Sequence, residues 1–123
     1  MKSFKIALAQ FSPHIGNLEA NAQKMLEQAN EAKKQNADLI IFPELSSIGY
    51  PAEDLLLRPS LTKRTQQVFE QLKTVKDIVM VFGFVNQTED GQRHNAAAVM
   101  KDGQVLGVYN KQNLPNYSVF DEK

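Results

Sequence analysis

The order of three patterns at the start of this chain constrains its fold more than any other feature. Phe4, Ile6 and Leu8 alternate with Lys5, Ala7 and Ala9, which predicts a strand over about Phe4 to Gln10. Leu18, Ala22, Met25, Leu26, Ala29 and Ala32 then recur at three- and four-residue steps. Glu19, Gln23, Lys24, Glu27, Glu31 and Lys34 fill the other face, so this segment reads as an amphipathic helix ending near Gln35. Asn17 is placed to cap it. Leu39-Ile40-Ile41-Phe42 follows, wholly apolar and short, the pattern of a strand buried on both faces. Strand, helix and apolar strand make a βαβ unit with parallel strands.

The rest of the chain extends the same layout. Leu61, Val68, Phe69, Leu72 and Val75 mark a second helix over about Ser60 to Thr74. Ile78 to Phe82 is another apolar strand, running into Gly83-Phe84-Val85. Thr88 to Gly91 reads as a turn. Asn95 to Met100 and Val105 to Tyr109 flank Asp102-Gly103, a two-residue hairpin signal. The expected class is α/β, with a mixed sheet and helices on one face. A sheet of this kind needs a second layer, and the segment after Asn110 offers no obvious closing element. The fold is therefore expected to be incomplete in this chain or completed by a partner.

Composition sets the outer limits. At 123 residues, one domain is the most the chain holds, and no repeat or linker divides it. Hydrophobic residues at 42% and charged residues at 23% exclude a disordered chain. Fourteen basic and fourteen acidic side chains cancel, which argues against strong capture of nucleic acid or an anionic membrane. No apolar run approaches the roughly 20 residues that span a bilayer. Met1 to Phe11 lacks a small-residue cleavage pattern, so a cytoplasmic protein is expected. Cysteine is absent, which removes a disulfide framework, a thiolate metal site and, within these residues, a cysteine nucleophile. His14 and His94 have no ligand spacing, so no metal is expected.

Few residues stand out chemically. Glu44 follows an apolar strand and Pro43, where a carboxylate near the desolvated interior suits a general base; an N-cap or a solvated loop acid fits as well. Lys111 closes the last strand, where a fixed ammonium can stabilise a developing oxyanion; a solvated strand-end lysine is the plainer reading. Tyr50, Tyr109, Tyr117 and Phe120 are aromatics, most in loop-like segments, that fit a pocket lining or a small cluster under a loop. No G-x-S-x-G, phosphate-binding loop or G-x-G-x-x-G is present.

Several collinear segments resemble the nitrilase, or carbon–nitrogen hydrolase, superfamily. They are Lys5-Ile6-Ala7-Leu8-Ala9-Gln10 with Ile15-Gly16-Asn17, and Ala37-Asp38-Leu39-Ile40-Ile41-Phe42-Pro43-Glu44-Leu45. Gly83-Phe84, Asn95-Ala96-Ala97 and Tyr109-Asn110-Lys111-Gln112-Asn113-Leu114-Pro115 continue the match. Gly49-Tyr50-Pro51-Ala52-Glu53-Asp54-Leu55-Leu56-Leu57-Arg58 and Leu114-Pro115-Asn116-Tyr117-Ser118-Val119-Phe120-Asp121-Glu122 narrow it. Both resemble the glutaminase domains of bacterial glutamine-dependent NAD synthetases.

The resemblance implies an α-β-β-α sandwich of which residues 1–123 are the N-terminal portion. It also implies a Glu-Lys-Cys triad, with Glu44 as the base and Lys111 as the cation beside the tetrahedral intermediate. By position, Tyr50, Tyr117, Phe120 and Glu122 match the glutamine pocket, with Glu122 on the substrate amino group. The family's nucleophilic cysteine lies beyond Lys123, so residues 1–123 alone are expected to be inactive. The chemistry implied is hydrolysis of glutamine, with ammonia passed to an ATP-dependent domain that amidates deamido-NAD to NAD. ATP and Mg2+ belong to that domain, and this segment carries no cofactor of its own. Uncovered sheet edges imply self-association, and a homo-oligomer is expected. The alternatives are an amidase or nitrilase without a synthetase domain, and a catalytically silent α/β module that folds by self-association.

Overall fold

The computed structural model describes residues 3–11, 17–43, 60–87 and 93–114, with backbone alone at 60–62 and 111–114. Its elements are β1 (Ile6–Leu8), α1 (Leu18–Lys34), β2 (Leu39–Ile41), α2 (Ser60–Leu72), β3 (Val79–Gln87), β4 (Arg93–Lys101) and β5 (Gln104–Leu114). One five-stranded sheet runs in the order β1-β2-β3-β4-β5. β1, β2 and β3 pair in parallel, as the strand–helix–strand order predicts. β4 and β5 are antiparallel.

Local chemistry explains the element ends. Asn17 Oδ1 accepts the Ala20 N–H at 3.0 Å, satisfying one of the free donors at the start of α1. Glu19 in the first turn and Lys33 and Lys34 in the last complement the helix dipole. Asp102 and Gly103 take φ of 52° and 83°, the left-handed pair that a two-residue turn of matching twist requires. Lys101 then pairs with Gln104 to start β5.

Both helices serve one face of the sheet. Leu18, Ala22, Met25 and Ala29 of α1 and Val68 and Leu72 of α2 are buried with Ile40, Phe42, Met80, Phe82, Phe84, Ala98 and Met100. Phe69 meets Phe82 and Phe84 edge-on at 5.1 and 5.0 Å. Strand side chains alternate between faces, so Leu39, Ile41, Val79, Val81, Ala97 and Val99 point the other way. That face is apolar as well, yet these residues are only half buried. Ile6 and Leu8, which share it, are 51% and 69% exposed. The described residues place no second layer there. The mixed sheet with helices on one face is therefore as expected.

The strands depart from the sequence pattern in length. β3 continues to Gln87, β4 begins at Arg93, and β5 runs through Lys111 to Leu114. Polar residues such as Asn86, His94 and Asn110 hid these extensions, because a strand needs backbone partners more than apolar side chains. The Thr88–Gly91 turn lies outside the described residues.

Candidate active site

The carboxyl ends of the parallel strands hold the candidate site, as open α/β sheets dictate. The Ala9 N–H donates to Ile41 O at 2.9 Å, and the Phe42 N–H to Val81 O at 2.8 Å. Pro43 has no N–H to continue the ladder, and the pairing stops there. An open cleft of about 630 Å³ begins at this point, lined by Leu8, Ala9, Gln10, Phe11, Ile41, Phe42 and Pro43. Phe11 packs edge-on against Phe42 at 6.4 Å and firms its wall. The chain leaves this cleft at Pro43, so the residue that follows is Glu44.

Lys111 stands on the far strand at the same end of the sheet. β5 is antiparallel to β4, and β4 to β3, so the end of β5 lies level with the end of β3. Ala96 pairs with Asn110 and Asn95 with Gln112, which leaves Lys111 as the extra residue of a β-bulge. A second irregularity, between Val99 and Met100, falls at Leu106. Bulges bend a strand and re-aim a side chain, and they recur beside active sites. Lys111 was expected to close a strand; it sits instead within one, at its point of irregularity.

Glu44, Tyr50, Tyr117, Phe120 and Glu122 lie outside the described residues, as does the side chain of Lys111. The geometry thus brings the entry to Glu44 and the backbone of Lys111 to one end of one sheet. Tyr109, named among the aromatics, is 68% exposed on β5.

Two further hollows lie among the described residues. One of about 670 Å³ lies between α2 and the sheet, against Phe69, Lys73, Phe84 and Val108. One of about 300 Å³ runs between β1 and α1. No group of three or more His, Cys, Asp or Glu that could hold a metal occurs among the described residues. Among those residues, too, no helix is long and apolar enough to cross a membrane.

Sequence reading singled out Asn95 only as part of a resemblance. In the structure it is 5% exposed, and its Oδ1 is buried with no hydrogen-bond partner. The signal available was an amide at the start of the small apolar run Ala96-Ala97-Ala98.

Residues 5–123 match the family described as carbon-nitrogen hydrolase. The chain belongs to the carbon–nitrogen hydrolase family. Within that family it is 84% identical, over its full length, to a glutamine-dependent NAD(+) synthetase of Acinetobacter baylyi, covering 23% of that protein. It is 44% identical to the glutamine-dependent NAD(+) synthetase of Thermotoga maritima, covering 22% of it. The chain therefore spans less than a quarter of these curated relatives.

A solved glutamine-dependent NAD+ synthetase from Acinetobacter baumannii, in complex with ADP, is similar over 98% of this chain and 23% of its own. Its TM-score is 0.89 and its identity 82%. An amidase from Nesterenkonia sp. matches 93% of this chain and 45% of its own with a TM-score of 0.80 at 24% identity, a likeness of fold. The carbon–nitrogen hydrolase fold expected from the resemblance is the one observed, and this chain is a partial domain of it.

Proposed function

We propose that this chain is the N-terminal portion of a glutaminase domain that supplies ammonia to a glutamine-dependent NAD synthetase. The observation that carries this reading is the 84% identity to one such enzyme over all 123 residues. The 123 residues compared include Glu44, Tyr50, Lys111, Tyr117, Phe120 and Glu122.

The chemistry follows from the residue types. Glu44 takes the proton of a cysteine thiol, because the thiolate and not the thiol is the nucleophile. The cysteine comes from outside these 123 residues, which contain none. The thiolate attacks the glutamine carboxamide carbon, and the oxygen gains the negative charge. Lys111 faces that charge with a fixed ammonium. The C–N bond breaks, the nitrogen takes the proton from Glu44, and ammonia leaves. Water, deprotonated by Glu44, then cleaves the glutamyl thioester to glutamate and frees the thiol. Tyr50, Tyr117 and Phe120 shape the substrate pocket, and Glu122 pairs with the substrate ammonium.

ATP, Mg2+ and deamido-NAD are handled by a separate domain, where deamido-NAD is amidated to NAD. The protein works in the cytoplasm as a homo-oligomer, with no nucleic-acid or membrane partner.

A chimaera tests this reading. Residues 1–123 replace the matching segment of the Acinetobacter baylyi enzyme, which supplies the remaining 77% of the protein. The expected result is NAD formation with either glutamine or ammonia as nitrogen donor. NAD formation with ammonia alone would show that this segment is not a working part of a glutaminase.

A further inference from the structure

We propose that the outer edge of β5 is an interface with a second copy of this chain: the two β5 strands pair antiparallel about a two-fold axis at Val108, joining two five-stranded sheets into one. This names the contact behind the homo-oligomer stated above and rests on that part of the reading, not on the glutaminase chemistry.

The edge itself is the first observation. Among the described residues β5 ends the sheet, and no strand pairs with its outer side. The opposite edge, β1, offers 3 residues; β5 runs for 11. Proteins guard such edges with lysine, proline or short strands. The stretch from Gln104 to Asn110 has no charge and no proline. Its apolar side chains are open to solvent, with Val108 at 48% and Tyr109 at 68% exposure. The bulges fall at Leu106 and Lys111, and between them Gly107, Val108, Tyr109 and Asn110 pair with β4 in unbroken register.

Gly107 is the second observation. A Cβ added there would meet nothing within 4 Å, and its φ is not in the left-handed region. Neither the backbone nor a neighbour in this chain requires glycine. Glycine inside a strand weakens it and marks a site where something approaches closely.

Self-pairing meets both observations. A two-fold interface sets residue i against j and j against i. With the axis at Val108, perpendicular to the sheet, Val108 faces its own copy and Gly107 faces Tyr109 of the copy. Gly107 pairs with Val99 and Tyr109 with Ala97, so both belong to the face away from the helices, as opposed residues must. The Tyr109 ring of one copy then covers Gly107 of the other, and the same pair recurs across the axis. Aromatic side chains rescue edge glycines in this way. A strand that meets its own copy also sets like residues close together, and a stretch without charge brings no repulsion.

The test uses the full-length chimaera with added cysteines, its fold checked by ammonia-driven NAD formation. Light scattering of the parent should give at least a dimer. Directly opposed Cβ atoms stand about 4.5–5.5 Å apart, within reach of a disulfide after a small adjustment. Val108→Cys, oxidised with copper phenanthroline, should therefore yield a chain of doubled mass on a non-reducing gel. Val105 lies away from the axis in each copy, so two cysteines there are about 20 Å apart. Val105→Cys should cross-link at least about tenfold less. If Val108→Cys fails to fold, a mixture of Gly107→Cys and Tyr109→Cys chains reads the same contact, since those residues oppose each other.

Equal cross-linking at Val105 and Val108 overturns the interface. So does a correctly folded Val108→Cys, or the mixture in its place, that stays as single chains. A monomeric parent overturns the homo-oligomer and this interface together. A parent that uses ammonia but not glutamine overturns the glutaminase reading and leaves the interface to the cross-links.

Discussion

Asp102 Oδ1 accepts the backbone N–H of Asp77 at 2.7 Å, tying the tip of the β4–β5 hairpin to the turn that enters β3. Asp77 needs this anchor, because its φ of 67° is uncommon for a residue with a side chain. The hairpin turn sets the register of β5, and through it the place of Lys111. Asp102→Ala should lower stability by about 1 kcal/mol, and Asp102→Asn, which keeps the acceptor, by less. Thermal unfolding of the chimaera and its variants measures this.

Gly103 enforces the same turn from the next position. Its φ is 83°, and an added Cβ would meet Lys73 O at 3.3 Å and Lys76 Nζ at 3.2 Å. The lysine tip swings away easily, but the carbonyl at the end of α2 does not. Gly103→Ala should therefore cost about 1–2 kcal/mol, chiefly from the left-handed backbone. A variant as stable as the parent would mean that the turn relaxes into another type.

The parallel β1-β2-β3 order, both helices and the Asp102-Gly103 turn were legible because each is written in local periodicity or turn chemistry. The bulge at Lys111 was not. One extra residue breaks the alternation and leaves a polar segment, Asn110 to Asn113, that reads as loop. Its partner strand decides otherwise, and pairing is a non-local fact. The residues alone left Glu44 as a general base or a solvated loop acid and Lys111 as an oxyanion partner or a solvated strand-end lysine, and only the resemblance proposes them as a pair, since a spacing along the chain says nothing about two strand ends meeting.

Arg64 clasps Glu19 across the two helices, with Nη2 3.0 Å from Oε1 and Nε 3.4 Å from Oε2. The hydrogen bonds from Arg64 are the main cause that holds the Glu19 carboxyl below its ordinary range. A folded-state pKa below the unfolded one gives stability that is present above about pH 4.3 and lost as the pH falls through the folded value. Both groups touch solvent, so the gain is under about 1 kcal/mol. Glu19→Gln should be slightly less stable at pH 7 and indistinguishable from the parent in strong acid. Urea unfolding across that interval checks it, and a difference that survives at low pH would assign the loss to packing.

Phe69 joins α2 to the sheet through Phe82 and Phe84 and borders the larger hollow beside β3. Phe69→Ala should cost about 3 kcal/mol, at the low end for such deletions because the site is already partly open. Phe82, 1% exposed, should cost more when truncated, about 4–5 kcal/mol. Reversal of that order in denaturant midpoints would mean that the hollow is filled in solution.

The strongest functional prediction concerns the residue that follows the cleft at the end of β2. Glu44→Gln keeps the shape of the side chain and removes its ability to take a proton. In the chimaera, glutamine-driven NAD formation should fall at least about 100-fold, the lower end for losing a general base. Ammonia-driven formation should stay unchanged, because the amidation of deamido-NAD does not use this carboxylate. Lys111→Met should show the same split, with a loss of about 100- to 1000-fold for a missing oxyanion partner. The two substitutions together should cost little more than the worse of the two, since residues that act as a unit are not additive. Parallel loss with both nitrogen donors would instead mean that these residues hold the domain together, and the catalytic roles proposed for Glu44 and Lys111 would then be wrong.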